Sequence, residues 1–179
     1  MRITLRKFHR YISLIISIQL LLWTISGIYF SFNKITDVRG EQYFVAVAEL
    51  PNVEKEELSK IDFESAKQII LERTVLKPQK IELIDQHQRG SEYRGRELPL
   101  YKVVSLTKEG EEINVYQNPF SGEIVAIRSS QWRMWDLMWG LHIVDWFDRD
   151  NISNIFLKIL SFIALFTSIS GLLLFFRKS

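Results

Sequence analysis

At 179 residues the chain is long enough for one modest domain plus membrane segments. It contains no cysteine, which excludes disulfides, iron–sulfur clusters, thiolate zinc sites and covalently attached c-type haem. The formal charge of +2 averages two unlike regions: seven of the 23 basic residues lie at or in the terminal apolar segments, leaving 16 against all 21 acids in the middle, formally −5. That acidic middle argues against nucleic acid as a partner.

In chain order, residues 1–10 form a basic N-terminus with Arg2, Arg6, Lys7 and Arg10. Residues 11–32 carry no charge and at 1.5 Å per residue cover roughly 30 Å, the thickness of a bilayer core. The run is longer than a signal-peptide core and no A-x-A-like cleavage site follows, so it reads as an uncleaved signal anchor. A second apolar segment, residues 151–176, is interrupted only by Lys158 and is followed by Arg177 and Lys178 in the tail, 177–179. Basic flanks outside both spans predict cytoplasmic termini and an external middle.

Residues 33–130 have mixed patterning. Glu41–Ala48 reads as a strand and Leu50–Ser59 as an acidic loop. Ile61–Val75 places Phe63, Ala66, Ile69 and Ile70 at helical spacing behind Asp62, an N-cap candidate. Lys80–Gln86 reads as a strand, and Gln88–Glu97 as a charged, glycine-containing loop. Leu100–Leu106, Glu112–Gln117 and Ile124–Ile127 form a strand meander turning at Gly110 and within NPFSGE, Asn118–Glu123. One helix followed by antiparallel strands is an α+β domain. Residues 131–150 form an interfacial segment, where helical geometry over Gln131–Phe147 aligns Trp132, Trp135, Trp139, His142 and Trp146 on one face. Two seams of small or hydroxyl residues, Ser13, Ser17, Leu20, Thr24, Gly27 and Ser31 in the first span and Ser161, Ala164, Ser168 and Gly171 in the second, read as helix-packing surfaces.

The helix with Ala66, the strands YKVVSL and EEINVYQNPFSGEIVAI, and the turn residues Asn118, Gly122 and Glu123 resemble a PepSY domain. RKFHRY, WGLHIVDW and the SGLLLFF span ending are similar to the PepSY-associated transmembrane family. The resemblance implies a bacterial inner-membrane protein with its soluble domain in the periplasm. Some members of the family are haem-binding reductases of iron–siderophore complexes, and isolated PepSY domains resemble propeptide and peptidase-inhibitory modules. The chain has one pair of spans where the larger reductases have more.

Three histidines exist, His9, His87 and His142. With no cysteine, any haem is b-type and held by imidazole. His142 lies in the tryptophan stripe with Trp139 beside it, and Asp145, three residues on, is placed to orient the ring as a second-shell partner. The plain alternative is a hydrogen-bonded interfacial histidine among anchoring indoles. His9 sits among Arg6 and Arg10, whose guanidinium groups suit haem propionates, or else belongs to a basic lipid-facing flank. His87 reads as a surface residue. His9 and His142 fall at opposite edges of the bilayer, about 30 Å apart, so one iron cannot bind both. A homodimer would supply paired ligands within a four-helix bundle; a partner membrane protein is the alternative.

The functional expectation is a membrane electron-transfer protein, a component of a ferric-reductase-like system. Its acceptor would be a ferric siderophore or another periplasmic species. No G-x-G-x-x-G is present, so the donor is another protein or the quinol pool. The competing expectation is a non-enzymatic, membrane-anchored module that binds or regulates a peptidase or envelope partner. Hydrolysis has little support, because Asp148–Asn151 reads as a polar turn. No catalytic residue is assigned.

Overall fold

The computed structural model describes residues 5–45 and 59–176. The predicted loop over 50–58, the end of the first predicted strand, and Arg2, Arg177 and Lys178 lie outside these residues. Two compact units are present: Met1–Phe32 with Asp136–Ser179, and Asn33–Trp135.

The helical unit contains α1 (Leu5–Phe32), the second half of α4 (Ser130–Ile143) and α5 (Ile155–Phe176). Stretches of 27 and 22 residues in α1 and α5 are long and apolar enough to cross a membrane. Leu14, Ile18, Leu21 and Ile25 on α1, and Phe162, Leu165 and Phe166 on α5, are exposed. So much uncovered apolar surface suits lipid rather than water.

Helix packing corrects the expected seam of α1. The buried face carries Ile16, Gln19 and Ser26, whereas Leu20, Thr24, Gly27 and Ser31 are exposed. The reason is hydrogen-bond supply. Ser17, Thr24 and Ser31 donate to carbonyls three or four residues back within their own helix, so each tolerates an apolar surround. Gln19 has no such internal solution and turns inward, its amide donating to the Leu141 carbonyl at 3.3 Å. On α5, Ser168 back-bonds to Ala164 and faces out, while Thr167 and Ser170 face in.

α4 ends at Ile143, four residues before the expected helix end. The Asp145 N–H bonds the Gly140 carbonyl at 2.9 Å across Val144, which has φ +58°. This is a Schellman closure with a β-branched residue in the left-handed position that glycine usually fills. Trp146 therefore lies past the helix and is exposed. The returning loop crosses so close to Gly140 that a Cβ there would meet the Asp145 carbonyl oxygen and Arg149 Cγ, each at 2.8 Å. Arg149 pairs with the buried Asp136 carboxylate at 2.9 Å.

The outer unit is α+β, with α2 (Ile35–Arg39), α3 (Phe63–Arg73) and strands β1 (Lys77–Ile84), β2 (Leu100–Leu106), β3 (Glu112–Gln117) and β4 (Ile124–Arg128). The strands form one antiparallel sheet in sequence order. Asp62 caps α3 by accepting from the Glu64 and Ser65 N–H groups, both at 2.9 Å, which satisfies two N–H groups of the first helical turn. Of the four apolar positions in its helical pattern, Ala66 and Ile70 are fully buried and Phe63 is exposed. They join Val103, Ile113, Val115 and Ile127 in the main core. The strand expected over 41–48 is absent from its start: Glu41–Tyr43 form a 3-10 turn after the left-handed Gly40, and Phe44 then bridges Thr74. β1 begins three residues earlier than expected, its register shifting between Pro78 and Lys80. In NPFSGE, Asn118 Oδ1 accepts the Phe120 and Ser121 N–H groups, and Gly122 adopts φ +71°.

Strand alternation sends Asn114, Tyr116 and Arg128 to the sheet face opposite α3. There Tyr93, Leu100, Tyr116 and Ala126 form a smaller cluster under the 85–99 segment. Trp132, expected as an interfacial anchor, instead stacks in this unit under Arg128, 4.3 Å from the ring centroid, with Arg94 at 5.5 Å. Burial, and then the neighbouring Arg96 charge, push Arg128 down to about 10.

Candidate functional site

His142 sits on the last turn of α4 against α1. Its ring lies 5.7 Å from Phe30, 6.4 Å from Trp139 and 6.5 Å from Trp23, measured between centroids, and is nearly parallel to Trp139 at 11°. Trp23 also fixes the backbone here, its indole N–H donating to the His142 carbonyl at 2.6 Å. Trp135 is on the same helix, in the outer unit.

The ring nitrogen Nδ1 of His142 lies 2.8 Å from Ser26 Oγ. Ser26 Oγ is also 2.7 Å from the Leu22 carbonyl and 3.1 Å from that of Trp23. Ser26 has one hydroxyl proton for these three contacts. Where it goes to a carbonyl, Ser26 accepts from Nδ1–H and the ring keeps its lone pair on Nε2. Nε2 has no hydrogen-bond partner among the described residues.

His9 repeats this arrangement with α5. Its Nδ1 lies 2.7 Å from Ser170 Oγ, which also lies 3.0 Å from the Thr167 carbonyl. The same placement of the serine proton leaves Nδ1–H, and the Ser13 hydroxyl stands a long 3.4 Å from Nε2. Gly171 makes room for the ring: a Cβ there would stand 3.1 Å from His9 Cε1. Arg6 and Arg10 are exposed on the flanking turn, Arg10 lying 5.2 Å from the Tyr11 ring centroid.

Asp145 is not the orienting partner that its spacing predicts. Its carboxylate accepts the N–H groups of Asp148, Asp150 and Asn151 at 3.0–3.2 Å. These bonds outweigh burial and hold its pKa below the usual carboxylate value. Once α4 ends at Ile143, residue 145 no longer lies on the helix face of residue 142. The orienting groups are instead Ser26 and Ser170, which the sequence reading missed as partners. A signal for the first was present in Trp23, Ser26 and Phe30, which share one face of the first span at spacings of three and four. His87 is exposed in the loop after β1, and it joins neither site.

His9 and Ser26 are 17 positions apart on one continuous helix, so the two histidine sites are separated by about 25 Å along its axis. Among the described residues, no group of three or more His, Cys, Asp or Glu side chains is placed to hold a metal ion. Each site offers one imidazole.

No curated protein and no solved structure matches the chain. The family model described as PepSY-associated TM region matches residues 2–179. With two membrane helices around a small domain built on a four-stranded antiparallel sheet, this chain is a membrane protein and belongs to the PepSY-associated TM family.

Proposed function

We propose that the protein is a bacterial inner-membrane electron-transfer component that binds b-type haem through His9 and His142, with a second copy of the chain completing each ligand pair. The observation that supports this most is the shared contact. Each Nδ1 lies within hydrogen-bond reach of a serine hydroxyl that also reaches a backbone carbonyl, and a serine that gives its proton to that carbonyl holds the ring as Nδ1–H with the lone pair on Nε2, the form a metal-bound imidazole needs.

The residues fit the group. Trp139 stacks on the His142 ring, and Trp23 and Phe30 stand inclined to it, an apolar aromatic surround. Arg6 and Arg10 supply positive charge on the turn around His9, suited to anionic propionates. The uncovered seam of Ser17, Thr24, Gly27 and Ser31 gives α1 a surface of small side chains for close approach of a second copy. When bound, the group would supply one-electron redox chemistry across the bilayer. The chain's own residues orient the imidazoles and shield them. Electrons would come from a partner protein or quinol and leave to a ferric siderophore or another acceptor outside. The basic flanks support cytoplasmic termini and a periplasmic outer unit.

The test is the haem-to-protein ratio by pyridine haemochrome in detergent. Because the sites are too far apart to substitute for one another, His9→Ala and His142→Ala should each remove about half of the haem, and His87→Ala none. If the unaltered protein carries no haem when haem is in ample supply, the reading fails. The membrane-anchored binding module then takes its place.

A further inference from the structure

The face of the outer sheet turned away from α3 is not filled like the other. Between the C-terminal half of β1, the middle of β2 and β3 and the 85–99 segment lies a cleft of about 510 Å³. Its lining carries charge and hydrogen-bonding groups on every side, among them Glu82, Asp85, Ser91, Glu92, Lys102 and Asn114.

Most of these groups are already partnered. Glu92 accepts from Asn114 Nδ2 at 2.7 Å, from the Tyr116 hydroxyl at 3.3 Å and from the Arg133 guanidinium. Burial raises its pKa, but the bonds from Arg133, Asn114 and Tyr116 outweigh burial and hold it below the ordinary glutamate value. Glu82 is bridged by Lys102 at 3.1 Å and approached by Lys80 at 3.7 Å.

Two buried atoms are left over. Asn114 is 7% exposed, and its Oδ1 has no hydrogen-bond partner among the described residues. Its amide orientation is set by the bond from Nδ2 to a carboxylate, which only accepts, so the orphan atom is the acceptor. Ser91 Oγ is the second. An unpaired buried acceptor costs about 1–3 kcal/mol and is the kind of feature a binding site retains.

The chemistry of an occupant follows. It must donate hydrogen bonds, because the carbonyl of Asn114 accepts only. It is favoured by positive charge, because Glu82, Asp85 and Glu92 face the cleft against Lys102 alone. The Arg133 and Lys102 partners quench Glu92 and Glu82 in part, while Asp85 is exposed at the rim. We infer that the open face of the outer sheet is a binding cleft for an ammonium or guanidinium group, received by Asn114 and Ser91 and steered by Asp85. Such a group is carried by a small amine or by a basic side chain of a peptide. β1 is an edge strand of the sheet, which gives a peptide a backbone to run beside.

The full-length protein in detergent, titrated calorimetrically, decides this. The probes are agmatine, the tripeptide Gly-Arg-Gly, and Gly-Glu-Gly as the acidic control, both peptides N-acetylated so that neither carries an α-ammonium group. Saturable binding of either cationic probe and none of the acidic one is the expected result. Agmatine alone assigns a small amine; Gly-Arg-Gly binding much tighter than agmatine assigns a peptide. Asn114→Leu should weaken binding by about tenfold or more, the loss expected for a hydrogen bond to a charged group. Ser91→Ala and Asp85→Asn should weaken it too, and being partly or fully exposed they decide the matter if Asn114→Leu fails to fold. No saturable binding of either cation, equal binding of the acidic peptide, or unchanged affinity in both Ser91→Ala and Asp85→Asn overturns the inference. His9→Ala and His142→Ala should bind the probes normally, so the outcome is independent of haem.

Discussion

Ser26 Oγ on α1 lies 2.8 Å from Nδ1 of His142 on α4 and also reaches the Leu22 and Trp23 carbonyls behind it. With its proton on a carbonyl the hydroxyl accepts from Nδ1–H, and the pair orients the ring. Removing the acceptor frees the imidazole to take either tautomer and to rotate. Ser26→Ala should therefore lower haem affinity at the His142 site by about 10–100-fold, the usual effect of losing an orienting partner, while leaving the His9 site intact. Haem titration followed in the Soret band measures this. Ser170→Ala should mirror it at His9, and equal loss at both sites in either variant would contradict the assignment.

The outer domain rests on a glycine turn. Gly122 has φ +71°, and a Cβ there would lie 2.6 Å from Ile69 Cδ1. Gly122→Val combines backbone strain with a clash against α3, and should cost about 1–3 kcal/mol or more. Thermal melting of the full-length variant, followed by circular dichroism, should show the transition moving down.

An ion pair with a buried carboxylate and a half-buried guanidinium ties the middle of α4 to the loop before α5. Asp136 has 3% of its side chain exposed and faces Arg149 at 2.9 Å. Arg149→Ala leaves that carboxylate buried without its counter-charge, with an expected loss of about 3–5 kcal/mol. Arg149→Ala with Asp136→Leu should recover most of it. Denaturation in mixed micelles of the single and double variants tests the coupling.

The Glu92 network sets an acid limit for the outer domain. Its folded pKa is below its unfolded one, so its contribution is fully present above the ordinary glutamate pKa and is lost as pH falls through the lower folded value. Glu92→Gln should reduce stability at neutral pH and flatten the acid limb of the stability profile. Melting temperatures across that range are the measurement; an unchanged acid limb would sink the assignment.

A reporter fused after Ser179 should be active only when it requires the cytoplasm, given the basic residues at both ends. Activity of a periplasm-only reporter at that position would reverse the orientation.

Much of the outer domain was legible because its signals are local. Asp62 before a helical pattern, alternation through residues 100–117, and glycine at 110 and 122 each specify one element. The end of α4 was not legible, because its left-handed cap is Val144, and a valine carries no such signal. That one residue removed Trp146 from the stripe and Asp145 from His142. The lipid face of α1 misled for another reason: Ser17, Thr24 and Ser31 bond back to carbonyls of their own helix, so their presence does not tell which face meets a neighbouring helix of the same chain. The cleft around Asn114 depends on tertiary pairing of residues 92, 114 and 133, which no short pattern encodes.

α1 also acts as a measuring rod. It carries His9, which faces α5, and Ser26, which faces α4, and 17 helical steps of about 100° leave those two directions about 100° apart around its axis. A single residue inserted between them would turn one neighbour by a further 100° or so and shift it by about 1.5 Å. Seven inserted residues would nearly restore the direction, at the expense of lengthening the rod by about 10 Å. A residue added before His9 or after Phe30 leaves the interval between the two contacts unchanged, whereas one added inside it misdirects one of them.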